Sequence, residues 1–228
     1  MPEQTSQPTT ASARAIRMAA RALARAGLVH AYGHCSARVD ALHFLVSPAK
    51  PLGLVAVSDA AVYGAVNGPL PEGALPEVIA HQHIYRRRPD VAAVVRFQSP
   101  QVVALSALGR TPRALHGFGA YFAPKPPLHL NPRLVRDEAS ASTVAELLGS
   151  RRAVVMRGNG AITVGASIEE AVALAWYLED AARLEMSVLS TGMDALEFTP
   201  EEVRDRAITA GGLYERMWSW LTANDPES

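Results

Sequence analysis

Cysteine is all but missing from this chain: its 228 residues include one, Cys35. A lone thiol excludes an intramolecular disulfide framework and a cysteine-based zinc site, and makes a reducing cytoplasm the expected location. Neither sign of charge is in surplus, because 22 Lys and Arg balance 22 Asp and Glu. Nucleic acid and anionic membranes are therefore not expected as obligate partners, and a small molecule is. Lysine itself is scarce, occurring only at positions 50 and 125. No window reaches the roughly 18 apolar residues that a membrane-spanning helix requires. The opening "MPEQTSQPTTASA" lacks the apolar core of a secretory signal, so residues 1–12 are expected to form a disordered tail. The glycine-rich signatures GxGxxG and GxxxxGKS/T do not occur, and no cofactor is expected.

What the chain does have is enough apolar material, 49% of its residues, to bury a substantial core. The periodicity predicts one α/β domain over residues 13–228. In "ARAIRMAARALARAG", Ile16, Ala19, Ala20 and Leu23 form one apolar stripe, with Ser12 as N-cap and Gly27 as the stop. Short strands are read in "HAYGHCSARV", "LHFLVSP" and "AAVYGAVNG". A helix over about 76–88 starts at Pro76 and ends at Pro89. "SALGRTPRALHG" reads as helix end, turn and strand. A helix near 137–149 precedes a hairpin around Asn159-Gly160. Ser167 and Glu170 make a capping-box signature for a long helix, and a last helix is predicted over about 199–221.

The stretch "AAVVRFQSP" poses the chemical question. Val94, Arg96 and Gln98 alternate with Ala93, Val95 and Phe97, so a strand read as half-buried aims a guanidinium and an amide the same way. Glu77, His81 and Tyr85 follow at i, i+4 and i+8 on one helix face. For His81 and Tyr85 that spacing is read first as packing.

At "GHCSAR", "LPEVIAHQHIYRRRPDVAAVVRFQSP", "SALGRTPRALHGFGA" and "RAVVMRGNGAITVGASIEEAVALAWYLEDAARLE" the chain resembles the class II aldolase/adducin family, closest to its branch of aromatic-carboxylate decarboxylases. The resemblance implies a class II aldolase-like three-layer α/β/α fold with a central, mainly antiparallel sheet, nine-stranded in the family. It also implies a homotetramer with sites between neighbouring subunits. In the family the segment occupied here by "VVRFQSP" reads V-V-H-x-H-S and that occupied by "MRGNGA" reads R-x-H-G; the three histidines hold zinc or manganese near a glutamate. This chain has Arg96, Gln98 and Asn159 at those places and Glu77 at the acidic one. Arg offers no lone pair and amide oxygens are poor ligands for a transition metal, so no metal is expected. The family's S-S pair is Leu75-Pro76 here.

From the same resemblance, His34 and Ser36 occupy the turn that cradles a substrate's anionic end, with Lys50 as a further charge. His116 matches a pocket-facing histidine of the decarboxylase-like branch, and Tyr121 and Phe122 line an aromatic site or belong to the core. A rearranged metal site of His34, His81 and His116 stays open, as does a plain Arg96–Glu77 salt bridge in a decayed pocket. Two functions follow. One is a metal-independent lyase, a decarboxylase or aldolase, acting on a small enolisable or aromatic carboxylate, with Glu77, Arg96, Gln98 and Asn159 catalytic and His34, Ser36, Lys50, His116 and Tyr121 binding substrate. The alternative is a non-catalytic scaffold that has lost the metal site.

Overall fold

A computed structural model describes residues 10–228. Of the tail expected over residues 1–12, residues 1–9 lie outside the described residues, and residues 10–12 are helical, in the first helix, α1 (Thr10–Arg25). Ser12 therefore sits inside α1 and is not its cap. The stripe behaves as the spacing predicts: Ile16, Ala19, Ala20 and Leu23 are all fully buried.

Seven strands form one sheet in the order β3-β2-β1-β4-β7-β6-β5. They are β1 (His34–Arg38), β2 (His43–Val46), β3 (Val62–Ala65), β4 (Ala93–Phe97), β5 (Leu128–His129), β6 (Ala153–Met156) and β7 (Ala161–Gly165). Every pairing is antiparallel except β5 with β6. The sheet is thus mainly antiparallel, with fewer strands among the described residues than the nine the resemblance implies. The parallel edge strand β5 follows Pro126-Pro127, in a segment read from sequence as a loop; prolines hold the chain extended there, and two residues suffice to pair.

β4 is buried on both faces, not one, because it lies between β1 and β7 at mid-sheet. Ala93, Val95 and Phe97 enter a core shared with α1 and with α6 (Ile168–Leu189). Val94 enters a second core with α2 (Ile79–Arg87) and α5 (Glu138–Leu148). By the strand's period of two, Arg96 belongs to this second face. The region 76–88 begins as a 3-10 turn, Pro76–Val78, before α2 proper. α3 (Pro100–Ala107) is followed by irregular chain and the short α4 (Gly117–Ala120), so the strand predicted in "RTPRALHG" does not form. The predicted last helix splits into α7 (Pro200–Arg206) and α8 (Leu213–Thr222), since Gly211 and Gly212 both take positive φ, 84° and 70°. α8 docks on its own chain: Met217 and Trp218 pack against the core, and Trp220 meets Trp176 edge-on. Among the described residues no helix is long and apolar enough to cross a membrane.

The last residues are fastened to α1 by charge. Arg21 grips the buried Asp225 through two bonds of 2.8 and 2.6 Å, Arg25 adds one of 3.0 Å, and Arg17 binds Glu227 at 2.5 and 2.9 Å. Hydrogen bonds from Arg17 hold the Glu227 carboxyl below its ordinary range. Burial pushes Asp225 upward, but the Arg21 bond and its other partners outweigh that and leave it lowered. Asp225→Ala strands Arg21 with less compensation and is expected to cost about 3 kcal/mol in urea unfolding. Depressed carboxyl values mean that this stabilisation is complete above the unfolded pKa of about 4 and is lost as pH falls through the lower folded values. Acid titration of wild type and Asp225→Ala is thus expected to converge as pH falls through the lowered folded value of Asp225.

Candidate active site

His34 and Arg96 stand directly opposite each other in the antiparallel β1–β4 pair. Cross-strand partners project from the same face with their Cβ atoms about 5 Å apart, and both line one cavity of about 470 Å³. Gln98 continues from β4 into the same cavity, whose outer wall holds Glu77, Arg136 and Leu134. The β6–β7 turn delivers Asn159 beneath it. That approach needs Gly160, at φ 74°, because a Cβ there would lie 1.9 Å from the Phe97 carbonyl oxygen.

The Asn159 side-chain oxygen accepts two hydrogen bonds, from Arg96 Nη2 at 2.5 Å and from Gln98 Nε2 at 2.8 Å. The sequence expectation that these three residues converge is met. Arg96 is 6% exposed, and burial pulls its guanidinium down to about 10, with the Glu77 charge acting the other way. It remains a cation at neutral pH. Glu77 does not pair with it: the Glu77 carboxylate accepts from Arg136 Nε at 2.8 Å and Nη2 at 2.7 Å. The simple Arg96–Glu77 salt bridge is thus corrected to a Glu77–Arg136 pair at the cavity's outer wall.

Behind this wall runs a buried hydrogen-bonded chain. His34 Nδ1 meets His81 Nε2 at 2.8 Å, His81 Nδ1 meets Ser36 Oγ at 2.6 Å, and Ser36 Oγ meets the Tyr85 hydroxyl at 2.8 Å. Burial drives His81 down to about 3, aided by the Arg96 charge. His34 falls well below its ordinary value through burial, then through His81 and Arg96. Both rings are neutral at physiological pH.

Four expected substrate contacts are not brought to this cavity. Ser36 is wholly buried, because β1 turns it toward His81 and Tyr85. Lys50 is held by Asp59 at 2.6 Å, and Asp59 also accepts from Arg17 of α1 through its backbone carbonyl. His116 binds Asp180 at 2.9 Å and lines a separate cavity of about 410 Å³ together with Tyr121. The Tyr121 hydroxyl is spent on the Ile208 carbonyl, and Phe122 belongs to the core. The His34, His81, His116 metal site accordingly fails for want of its third member. Arg136 was missed, having only a loop position before α5 to mark it. His81 and Tyr85 were placed on the right face by their spacing, yet their bonds to β1 were not readable.

A divalent ion does not suit the convergence point. It would face a guanidinium and one amide oxygen whose acceptor capacity is already engaged by two N–H groups. Among the described residues no group of three or more His, Cys, Asp or Glu is gathered as a ligand set.

A mainly antiparallel sheet covered by helices, with a cavity where β1 and the end of β4 meet the Pro76–Val78 turn, defines an aldolase-like α/β protein. The chain belongs to the class II aldolase and adducin N-terminal domain family, which it matches over residues 14–186. It is similar to 3,4-dihydroxyphthalate decarboxylase of Arthrobacter keyseri, 31% identical over 238 aligned positions that cover 95% of each chain. The enzyme of the same name from a Terrabacter strain is 29% identical over 204 positions, covering 81% of this chain and 84% of the relative. Both relatives are lyases. In fold, the aldolase II superfamily protein from Pseudomonas syringae superposes with a TM-score of 0.81 over 97% of this chain and 94% of its own, at 22% identity.

Proposed function

We propose that this protein is a metal-independent lyase that decarboxylates a small hydroxylated aromatic carboxylate, with Arg96 as its electrophile. The observation that carries the reading is a buried guanidinium fixed by Asn159 at the wall of the cavity, where charge must be stabilised as a carbon–carbon bond breaks. Preorganised donors in a water-poor site do this without reorganising at the moment of reaction. Similarity to two decarboxylases of a dihydroxylated phthalate supports the substrate class.

The chemistry balances with one carboxylate. Glu77 takes the proton of a phenolic hydroxyl and returns it to the ring carbon bearing the carboxylate, which makes the ring a dienone. The bond to the carboxylate carbon then breaks, its electron pair restores the aromatic ring, and carbon dioxide leaves. The phenolate oxygen that reappears is held by Arg96 until solvent reprotonates it. Gln98 and Asn159 keep the guanidinium in place.

The scaffold reading draws on a different observation: the polar groups of the cavity largely satisfy one another, Glu77 by Arg136 and Asn159 by Arg96 and Gln98. Carbon dioxide release from 3,4-dihydroxyphthalate, 2,3-dihydroxybenzoate and unsubstituted phthalate separates the two. Turnover of a hydroxylated acid but not of phthalate is expected; no turnover of any would favour the scaffold.

A further inference from the structure

At the start of β6, the end remote from the Asn159 turn, Arg151 helps to wall a further cavity of about 430 Å³. None of its lining residues is shared with the Arg96 cavity. Four cations border it, Arg110, Arg113, Lys125 and Arg151, against a single carboxylate, Glu185. That carboxylate is already committed. Glu185, 1% exposed, accepts from Arg113 Nε at 2.8 Å, from Nη2 at 2.6 Å and from the Arg113 backbone N–H at 3.3 Å. The side chains of Arg110, Lys125 and Arg151 have neither a hydrogen bond nor an ion pair among the described residues.

A solvated surface arginine is ordinary taken singly. Here the chain as a whole is neutral, with 22 basic and 22 acidic side chains, and yet three unpaired cations surround one concavity. Salt does not fully screen charges gathered so closely, because the screening length is about 8 Å at physiological ionic strength. The walls are also tied together. Thr111 Oγ1 donates to the Pro126 carbonyl at 2.7 Å, which joins the chain after α3 to the chain before β5. Pro124, Pro126 and Pro127 fix the backbone on either side of Lys125. β5 in turn pairs with β6, which begins just after Arg151. The three segments that carry the unpaired cations are thus linked to one another, and a ligand finds the cations already assembled.

We propose that this cavity is a second ligand site, separate from the candidate active site, for a small oxyanion of two or more negative charges, a phosphoryl compound or a polycarboxylate. Arg110 and Arg151 present planar forks that match paired oxygens, and Lys125 supplies a point charge that either kind of group satisfies. Multiple charge is required because the surplus is three, with Arg113 and Glu185 cancelling. A monoanion leaves most of that surplus uncompensated. The site does not depend on the protein being a lyase.

The test is titration calorimetry of the full chain with inorganic pyrophosphate and, separately, with citrate, in metal-free buffer at low and at physiological salt. At least one of the two is expected to bind once per chain and to weaken as salt rises; pyrophosphate alone assigns a phosphoryl ligand, citrate alone a polycarboxylate. Lys125→Gln and Arg151→Gln are each expected to weaken that binding about tenfold, roughly the worth of one hydrogen bond to a charged group. Both side chains are exposed and unpaired, so both variants should fold as wild type does. Arg113 is left in place, because its loss would strand the buried Glu185. Two controls are expected to bind like wild type: Arg96→Met, which changes the other cavity, and Arg216→Gln, which removes an exposed cation of α8. Absence of binding by both anions would overturn the proposal. So would binding that the two cavity variants retain undiminished, or that falls as far in either control.

Discussion

Arg96→Ala is expected to lower kcat for the turned-over hydroxylated acid by about 10²-fold or more, the range for losing one preorganised oxyanion donor, with KM changed only a few-fold. The asymmetry follows from timing. In the ground state the phenolic oxygen is neutral and gains little from a guanidinium; as it becomes phenolate the interaction strengthens, so the loss falls on the transition state. Folding should survive, because Arg96 has no carboxylate partner to strand and Asn159 keeps its bond from Gln98. Arg96→Met, closer in volume, provides a second variant against cavity effects. Arg96→His should not restore family metal chemistry, since Gln98 and Asn159 still supply no imidazole. Steady-state carbon dioxide release measures all three, and kcat retained within threefold in Arg96→Ala would remove Arg96 from the chemistry.

Glu77→Gln is expected to be at least as damaging, about 10² to 10⁴-fold in kcat, the range for a positioned general base. The substitution preserves volume, and the new amide oxygen can still accept from Arg136, so the outer wall should keep its shape. What disappears is the capacity to take the phenolic proton and give it to carbon. A substrate lacking the hydroxyl has no such step. The variant and wild type should therefore be equally inactive toward phthalate and differ only on the hydroxylated acid. Similar rates for wild type and Glu77→Gln on that acid would assign the proton transfer to another group.

The convergence of Arg96, Gln98 and Asn159 was more legible in the sequence than the surroundings of the candidate site, for physical reasons. Arg96 and Gln98 share a strand face by period, and the Asn159-Gly160 turn was legible as a hairpin, so their meeting could be inferred. Ser36 and Lys50 failed because each found a nearer partner, His81 with Tyr85 and Asp59. Such choices depend on which helix crosses which strand, and one-dimensional spacing does not carry that. His116 and Tyr121 went to a second cavity with Asp205, Arg206 and Leu213 of the C-terminal region, whose placement the predicted single helix obscured. The helix break was itself readable, since Gly211-Gly212 is a poor stretch of helix.

Metal independence is the central claim, and its most direct test is carbon dioxide release by wild-type protein treated with excess EDTA and checked by elemental analysis. Full activity is expected with far less than one zinc, manganese or iron per chain. Activity that disappears with the metal and returns on adding zinc or manganese would contradict the assignment of Arg96 as the electrophile.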